Sequence, residues 1–371
     1  MTWPVSVVSL LQELIRIPSV NPEGDPGCSD TGESAIAAYV GELLECLGAN
    51  VSFQEALPGR PNVLACFPSA NQTKKRRLLF APHLDTVSVG GMTIPPFSGE
   101  VRDGRIWGRG ATDTKGSMAA MLWALYKCKD QISQFPWEIW FAGLVDEETR
   151  QMGSRKLARE KHFDFVVIGE PTNLQVIYKT KGSLWLKLRT RGLAAHGCSP
   201  EKGQNAILKM ANILHWIQET ATPRLNKLVH SDLGTSTVNV GMIHGGIRHN
   251  IVPDLCEVIL DIRTIPGQNI NGFKEDLFRN FPDLAFEEHE SLPLDTLPDH
   301  PIIQKLLTMG ARLGVASWFC DATSFAAVGI PAIALGPGSI DQAHVADEFL
   351  KISDLEQGAD FFESFLKNLP S

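Results

Sequence analysis

Residues 78–87 read LLFAPHLDTV, an apolar run closed by His83 and, two positions later, by Asp85. A run of this kind, without polar interruption, reads as a strand buried on both faces under covering helices. Side chains alternate along a strand, so His83 and Asp85 share a face and address one site. A carboxylate beside a histidine commonly orients an imidazole that ligates a metal. The same pair also suits a plain capped strand end.

Other apolar runs end the same way. WEIWFAGLVDEET (137–149) finishes on Asp146, Glu147 and Glu148, and FVVIGEPT (165–172) on Glu170. Three adjacent acids repel one another and would mean little on a solvated helix. At the end of an apolar strand their carboxylates cluster instead. GRGATDTKG (108–116) places Asp113 in a glycine-flanked loop entering a helix, with glycines not spaced as a dinucleotide fingerprint. GPGSIDQAHVADE (336–348) puts His344 in a loop after an apolar strand. In open α/β sheets, ligands bind beyond the carboxyl ends of the strands. His83, Asp113, Glu148, Glu170 and His344 form a mixed nitrogen and oxygen set suited to zinc, with cobalt or manganese as substitutes. The three carboxylates carry about −3, which two divalent ions would turn to about +1, a charge that attracts an anionic substrate. No H-E-x-x-H or C-x-x-C arrangement competes for the metal.

The rest of the chain supplies the frame. Helices are expected over about 4–17 and 33–48, the second with Ser29 and Asp30 as caps, and over 116–128. Strands are expected over 51–57, 62–67, 77–82, 137–145 and 163–169, with a hairpin turn at Asp103-Gly104. Between about 176 and 290 the rhythm changes. VIYKTKG and SLWLKLRTRG alternate apolar with polar residues, as strands with one wet face do. Helices over 203–219 and 269–281 and strands over 235–244 and 255–264 complete a small α+β unit. The first pattern then returns, with a helix over 301–313, a strand over 330–336 and a closing helix over 354–367. The expectation is an α/β catalytic domain, 1–176 and 290–371, with a largely parallel central sheet flanked by helices and interrupted by an inserted α+β domain, 177–289.

Composition agrees with this and excludes other classes. The 371 residues exceed one comfortable core, and 43% hydrophobic with 20% charged residues is an ordinary globular balance. A net charge of −8 argues against nucleic acid or an anionic membrane as the main partner. No apolar run approaches a membrane span, and MTWPVSVVSLLQELIRIPSV, with Glu13 and Arg16, reads as an amphipathic helix and not as a leader. Seven cysteines scattered singly suit a thiol-reducing cytoplasm.

Taken together, PHLDTV, PFSGEVRDGRIWGRGATDTKG, DEE, GEPT, RGLAAHGCSP, HNIVPD and GPGSIDQAH resemble the di-zinc aminoacylase and carboxypeptidase family over nearly the whole chain. GEPTNLQ, IHGG, DIRTIPG and GPGSIDQAH are most similar to acetylornithine deacetylase within it. The resemblance implies two zinc ions bridged by Asp113, with His83 and Glu170 completing one site and Glu148 and His344 the other. It implies Glu147 as general base and Asp85 as the partner of His83. The inserted domain would be a lid that also forms a homodimer, sending His196 into the partner subunit's active site to stabilise an oxyanion. Asn250 and Arg263 would hold the substrate carboxylate. It also implies a cis peptide after Asp113.

Read without the resemblance, His196 is an ordinary loop histidine, and Arg263 pairs with Asp261 two positions earlier. The chain departs from the family pattern at Pro82, at Thr114 and at Arg248-His249, the last next to Asn250 and so bearing on selectivity. The implied reaction is hydrolysis of the amide of an N-acyl amino acid, N-acetylornithine first, with succinyl-diaminopimelate or short peptides as alternatives. A silent metal-binding relative would be expected to lack the base or a ligand, and this chain has all of them.

Overall fold

A computed structural model describes residues 3–23, 29–68 and 76–370. They fall into two compact units. The first runs to Tyr178 and resumes over Thr296–Gly314 and from Cys320 onward; the second comprises Lys179–Asp295 and Val315–Phe319. The return of the five residues 315–319 to the second unit was not expected from the sequence.

The first unit is built on a mixed sheet whose strands lie in the order Asn50–Leu57, Arg60–Cys66, Trp137–Gly143, Arg76–Ala81, Phe165–Ile168, Ala332–Ala334 and Val176–Thr180. The central four run parallel, and antiparallel strands flank them. Both faces are covered, which is why the central strands are continuous apolar runs. Leu78 and Phe80 face a core that also holds residues of the helices Val7–Arg16, Ser34–Cys46, Lys115–Cys128 and Ile352–Lys367. Leu79 and Ala81, equally buried, point the other way. Phe80 meets Phe362 edge-on with ring centres 5.5 Å apart, tying the opening strand to the last helix.

Two helix expectations need correction. Ser29 and Asp30 do not cap the second helix, which begins at Ser34 behind Glu33. The Glu33 side chain is instead committed to a buried pair with Arg60, Oε2 to Nε at 2.7 Å. The helix expected over 301–313 ends at Thr308, because Gly310 turns left-handed at φ 96°, and Leu313–Ala316 is a strand.

The second unit is a four-stranded antiparallel sheet in the order Thr237–Gly245, Leu255–Thr264, Gly182–Arg191, Ala285–Ser291. Leu184, Leu186, Leu188, Val258, Leu260 and Ile262 pack with the helices Ala206–Trp216 and Ile270–Asn280. The intervening positions, among them Trp185, Lys187, Arg189 and Asp261, are half-buried. This is the alternation seen in the sequence, with helices on one face only. The strand Ala285–Ser291 lay outside the sequence expectation; its pattern of exposed residues carries no periodic apolar signal.

Candidate metal centre

His83, Glu148 and Glu170 follow the carboxyl ends of parallel strands of the first unit, whereas Asp113 lies in the loop before the helix Lys115–Cys128 and His344 in the loop after Ala332–Ala334. Backbone bonds continue the ladder past the regular strand between residues 82–84 and Leu144: Leu144 N donates to the Pro82 carbonyl at 3.0 Å and Leu84 N to the Leu144 carbonyl at 2.6 Å. His83 is thereby fixed beside the acids that follow Val145. Glu170 follows Gly169 at the end of the neighbouring strand. Its carbonyl sits so close to Gly336 that a Cβ there would come within 2.6 Å of it.

Asp113 lies between the two histidines. Its Oδ1 is 2.9 Å from His83 Nε2 and its Oδ2 is 3.3 Å from His344 Nε2. His344 Nε2 is also 3.0 Å from Glu148 Oε2. The peptide between Asp113 and Thr114 is cis. Ligand-capable atoms of His83, Asp113 and Glu170 lie within 4.8 Å of one another, and so do those of Asp113, Glu148 and His344. A third such group, His83 with Glu147 and Glu148, puts Glu147 at the same place.

Asp85 acts differently from the reading of a carboxylate against an imidazole. His83 Nδ1 faces the main-chain oxygen of Asp85 at 2.9 Å, whereas the carboxylate stands 3.7 Å away. That carboxylate accepts instead from the main-chain N–H groups of Glu147 and Glu148, each at 3.1 Å, and from Asn21 Nδ2 at 2.8 Å. Asp85 therefore orients the imidazole through its backbone and the two glutamates through its side chain. Asp146, the first of the three acids, turns away at φ 69° and pairs with Arg60 at 3.0 Å.

Electrostatics distinguish the members. Burial pushes the Glu147 and Glu170 carboxyls well above the usual carboxylate range, and other acids nearby add to it. Burial, then the Asp113 charge, brings Glu148 up to about 7. Burial works against a charge on His83, yet its bond to Asp113 outweighs that and lifts its pKa well above the ordinary value. Burial likewise opposes ionisation of Asp113, but bonds from His344 and His83 hold its carboxyl below the normal range. Hydrogen bonds to Asp113 and Glu148 raise His344 to about 10.

The residues fit divalent metal. Among the described residues, Glu148 Oε1 and Glu170 Oε1 are buried and have no hydrogen-bond partner. A buried unpartnered carboxylate oxygen costs several kcal/mol, roughly, unless a cation completes it. Two imidazoles and three carboxylates, with one carboxylate shared, are the donor types zinc, cobalt and manganese take.

His196, Asn250 and Arg263 lie in the second unit. His196 and Asn250 are neighbours there, since Gly197 N donates to the Asn250 carbonyl at 2.8 Å, and both side chains are exposed. Arg263 is not with them. Its Nη2 pairs with Asp261 at 2.9 Å and its guanidinium lies over Phe319, 5.2 Å from the ring centre.

Several residues of the first unit's site had escaped sequence reasoning. Asn21, Glu33 and Arg60 buttress the acids, and Asp321 is a buried carboxylate accepting from Ser154 at 2.5 Å, pushed up to about 7 by burial. Glu348, in the tail of the His344 loop, precedes the strand Phe349–Lys351 and so lacks the strand-end signal that marks the other acids.

Residues 79–368 match the family described as peptidase family M20/M25/M40. The acetylornithine deacetylase of Proteus mirabilis (strain HI4320) is 31% identical over 384 aligned positions, covering 97% of this chain and 96% of that protein. A tripeptidase from Staphylococcus aureus superposes with a TM-score of 0.78 at 22% identity, covering 97% of each chain. A dinuclear metal-binding peptidase of the M20 family from Bacillus subtilis gives 0.68 at 13% identity over 98% of each.

Proposed function

The chain belongs to the peptidase family M20/M25/M40 of hydrolases, and from that premise we propose that it is a two-metal deacylase cleaving the amide of an N-acyl amino acid, N-acetylornithine first among them. The observation that carries this is the pair of three-residue donor groups sharing Asp113. His83 and Glu170 would hold one ion and Glu148 and His344 the other, with Asp113 between them. Bound divalent metal, zinc in this reading, would supply a Lewis acid for the amide carbonyl and make water acidic enough to yield a nucleophile near neutral pH.

Glu147 is the proton carrier. Its carboxyl lies within the His83 and Glu148 group, and burial raises its affinity for a proton, so it is suited both to take one from water and to return it to the leaving amine. Asp85 keeps it in place through the Glu147 N–H. No acyl-enzyme is involved. His196 is assigned as donor to the developing oxyanion, and Asn250 and Arg263 as groups for the substrate carboxylate. The assignment of ornithine rests on the 31% identical deacetylase.

A homodimer joined through the second unit is part of the same reading. Its edge strand Thr237–Gly245 exposes Val240, Met242 and Ile243, an unpaired apolar edge of the sort proteins cover. A cytoplasmic setting is supported by the scattered cysteines. Among the described residues no helix is long and apolar enough to cross a membrane.

The test is hydrolysis of a panel of N-acetyl and N-succinyl amino acids and dipeptides by protein loaded with zinc or cobalt. The highest kcat/KM is expected on N-acetylornithine. A preference for dipeptides would replace the deacylase reading with a peptidase one, and no turnover on any amide would end both.

A further inference from the structure

The Glu348 side chain is fully buried, and both its oxygens are saturated by donors of the loop that carries Asp113. Oε1 accepts from Thr112 N at 2.7 Å and Asp113 N at 2.9 Å. Oε2 accepts from Gly110 N and from Arg109 Nη1, each at 2.9 Å. The same Nη1 donates to the carbonyl of Val345, the residue after His344, at 3.1 Å. The Glu348 carbonyl in turn accepts from Gly108 N at 3.0 Å, and Thr112 Oγ1 donates to the Phe349 carbonyl at 2.7 Å. Two segments more than 200 positions apart in sequence are thus stapled at the residues that flank Asp113 and His344.

We infer that Glu348 is a positioning residue that sets the Asp113–His344 half of the metal centre, acting with Arg109 before any metal arrives. This rests on the two-metal reading above. Four donors face two oxygens, so only a carboxylate fits; a carboxamide would turn its NH2 group toward two of them. His83 and Glu170 are held by strand ends and do not depend on this staple. Asp113 serves both ions, but only the His344 half has both of its placements made through this staple, so its loss weakens that ion more than the other.

Calorimetric titration of the metal-free protein with Zn2+, together with the visible spectrum on stepwise addition of Co2+, reads this without activity. Wild type is expected to take two ions. Glu348→Gln should take the first with little change and the second at least about tenfold more weakly, with an altered spectrum for the second cobalt only. Glu348→Asp, which keeps the charge, should recover part of the difference. Two ions bound as tightly by Glu348→Gln as by wild type would overturn the inference. Should the variants not fold, hydrogen exchange of metal-free wild type decides. The amides of Gly110, Thr112 and Asp113 are expected to be protected, and free exchange there would overturn the staple. A wild type that takes fewer than two ions would count against the two-metal reading, while the exchange result still judges Glu348.

Discussion

The two halves of the proposed metal centre share Asp113 and have similar donor chemistry, yet they are built by different means. His83 and Glu170 sit at the ends of adjacent parallel strands, fully buried, with the sheet's own hydrogen bonds holding them in register. His344 sits in a loop at φ 60° with 56% of its side chain exposed. Its position depends on a staple of side-chain bonds from Arg109 and Glu348. A sheet places a ligand as a by-product of folding. A loop must be placed by dedicated polar contacts, and those contacts are separately breakable.

The proton carrier should be independent of both halves. Glu147→Gln keeps the size of the side chain but accepts no proton, and kcat is expected to fall by about 10³-fold or more with both ions retained. Metal content by atomic absorption beside steady-state rates checks it. Loss of metal in this variant would make Glu147 a ligand and shift the boundary between the halves.

The contrast between the halves is sharpened by ligand removal. His83→Ala should abolish tight binding at the buried half with Glu170, the inner one, and disturb Asp113, while His344→Ala should empty the more exposed outer half and leave one ion in place. Since even the partners of ligands are worth about 10–100-fold in metal affinity, each ligand loss should exceed that at its own site. Equal loss of both ions in the two variants would mean the centre fills cooperatively and has no separable halves.

A smaller effect is expected at Asp85, which anchors Glu147 and Glu148 but touches the imidazole only through its main chain. Asp85→Asn retains one acceptor oxygen and should lower kcat roughly 10-fold to 100-fold while His83 keeps its metal. Loss of the ion at His83 would show that the carboxylate supports the imidazole after all.

Protons give the subtlest distinction. His344 in the metal-free protein has its pKa raised to about 10 by Asp113 and Glu148, so below that pH it carries a proton that metal must displace. A raised pKa favours the protonated form, so affinity at the outer half should climb as pH rises toward 10 and flatten beyond it. Calorimetry in buffers of different ionisation enthalpy should count about one proton released per histidine displaced. No release on filling the outer half at pH 8 would remove the ion pairs from the account.

Much of this site was legible in advance, and the reason is the sheet. A buried parallel strand is a continuous apolar run, so a polar residue at its carboxyl end stands out, and His83, Glu147, Glu148 and Glu170 all announce themselves in that way. The inserted unit was legible from the opposite signal, the alternation of SLWLKLRTRG. What escaped has no local signature. Glu33 sits at the start of a helix and looks like a solvated acid until Arg60 is brought against it. The third crossing between units at 315–319 follows no change in composition.

By itself, the sequence determined the alternation of strand and helix, the polar residues at the strand ends and the order in which they come, because each depends on neighbours one to four positions away. Only the tertiary structure decided what Asp85 and Glu348 do. Both are acids near a ligand in sequence, and both turn their carboxylates onto main-chain N–H groups of other segments. Which donors a buried carboxylate satisfies is set by which loops the fold packs around it, and those loops come from 62 positions away for Asp85 and from more than 200 for Glu348.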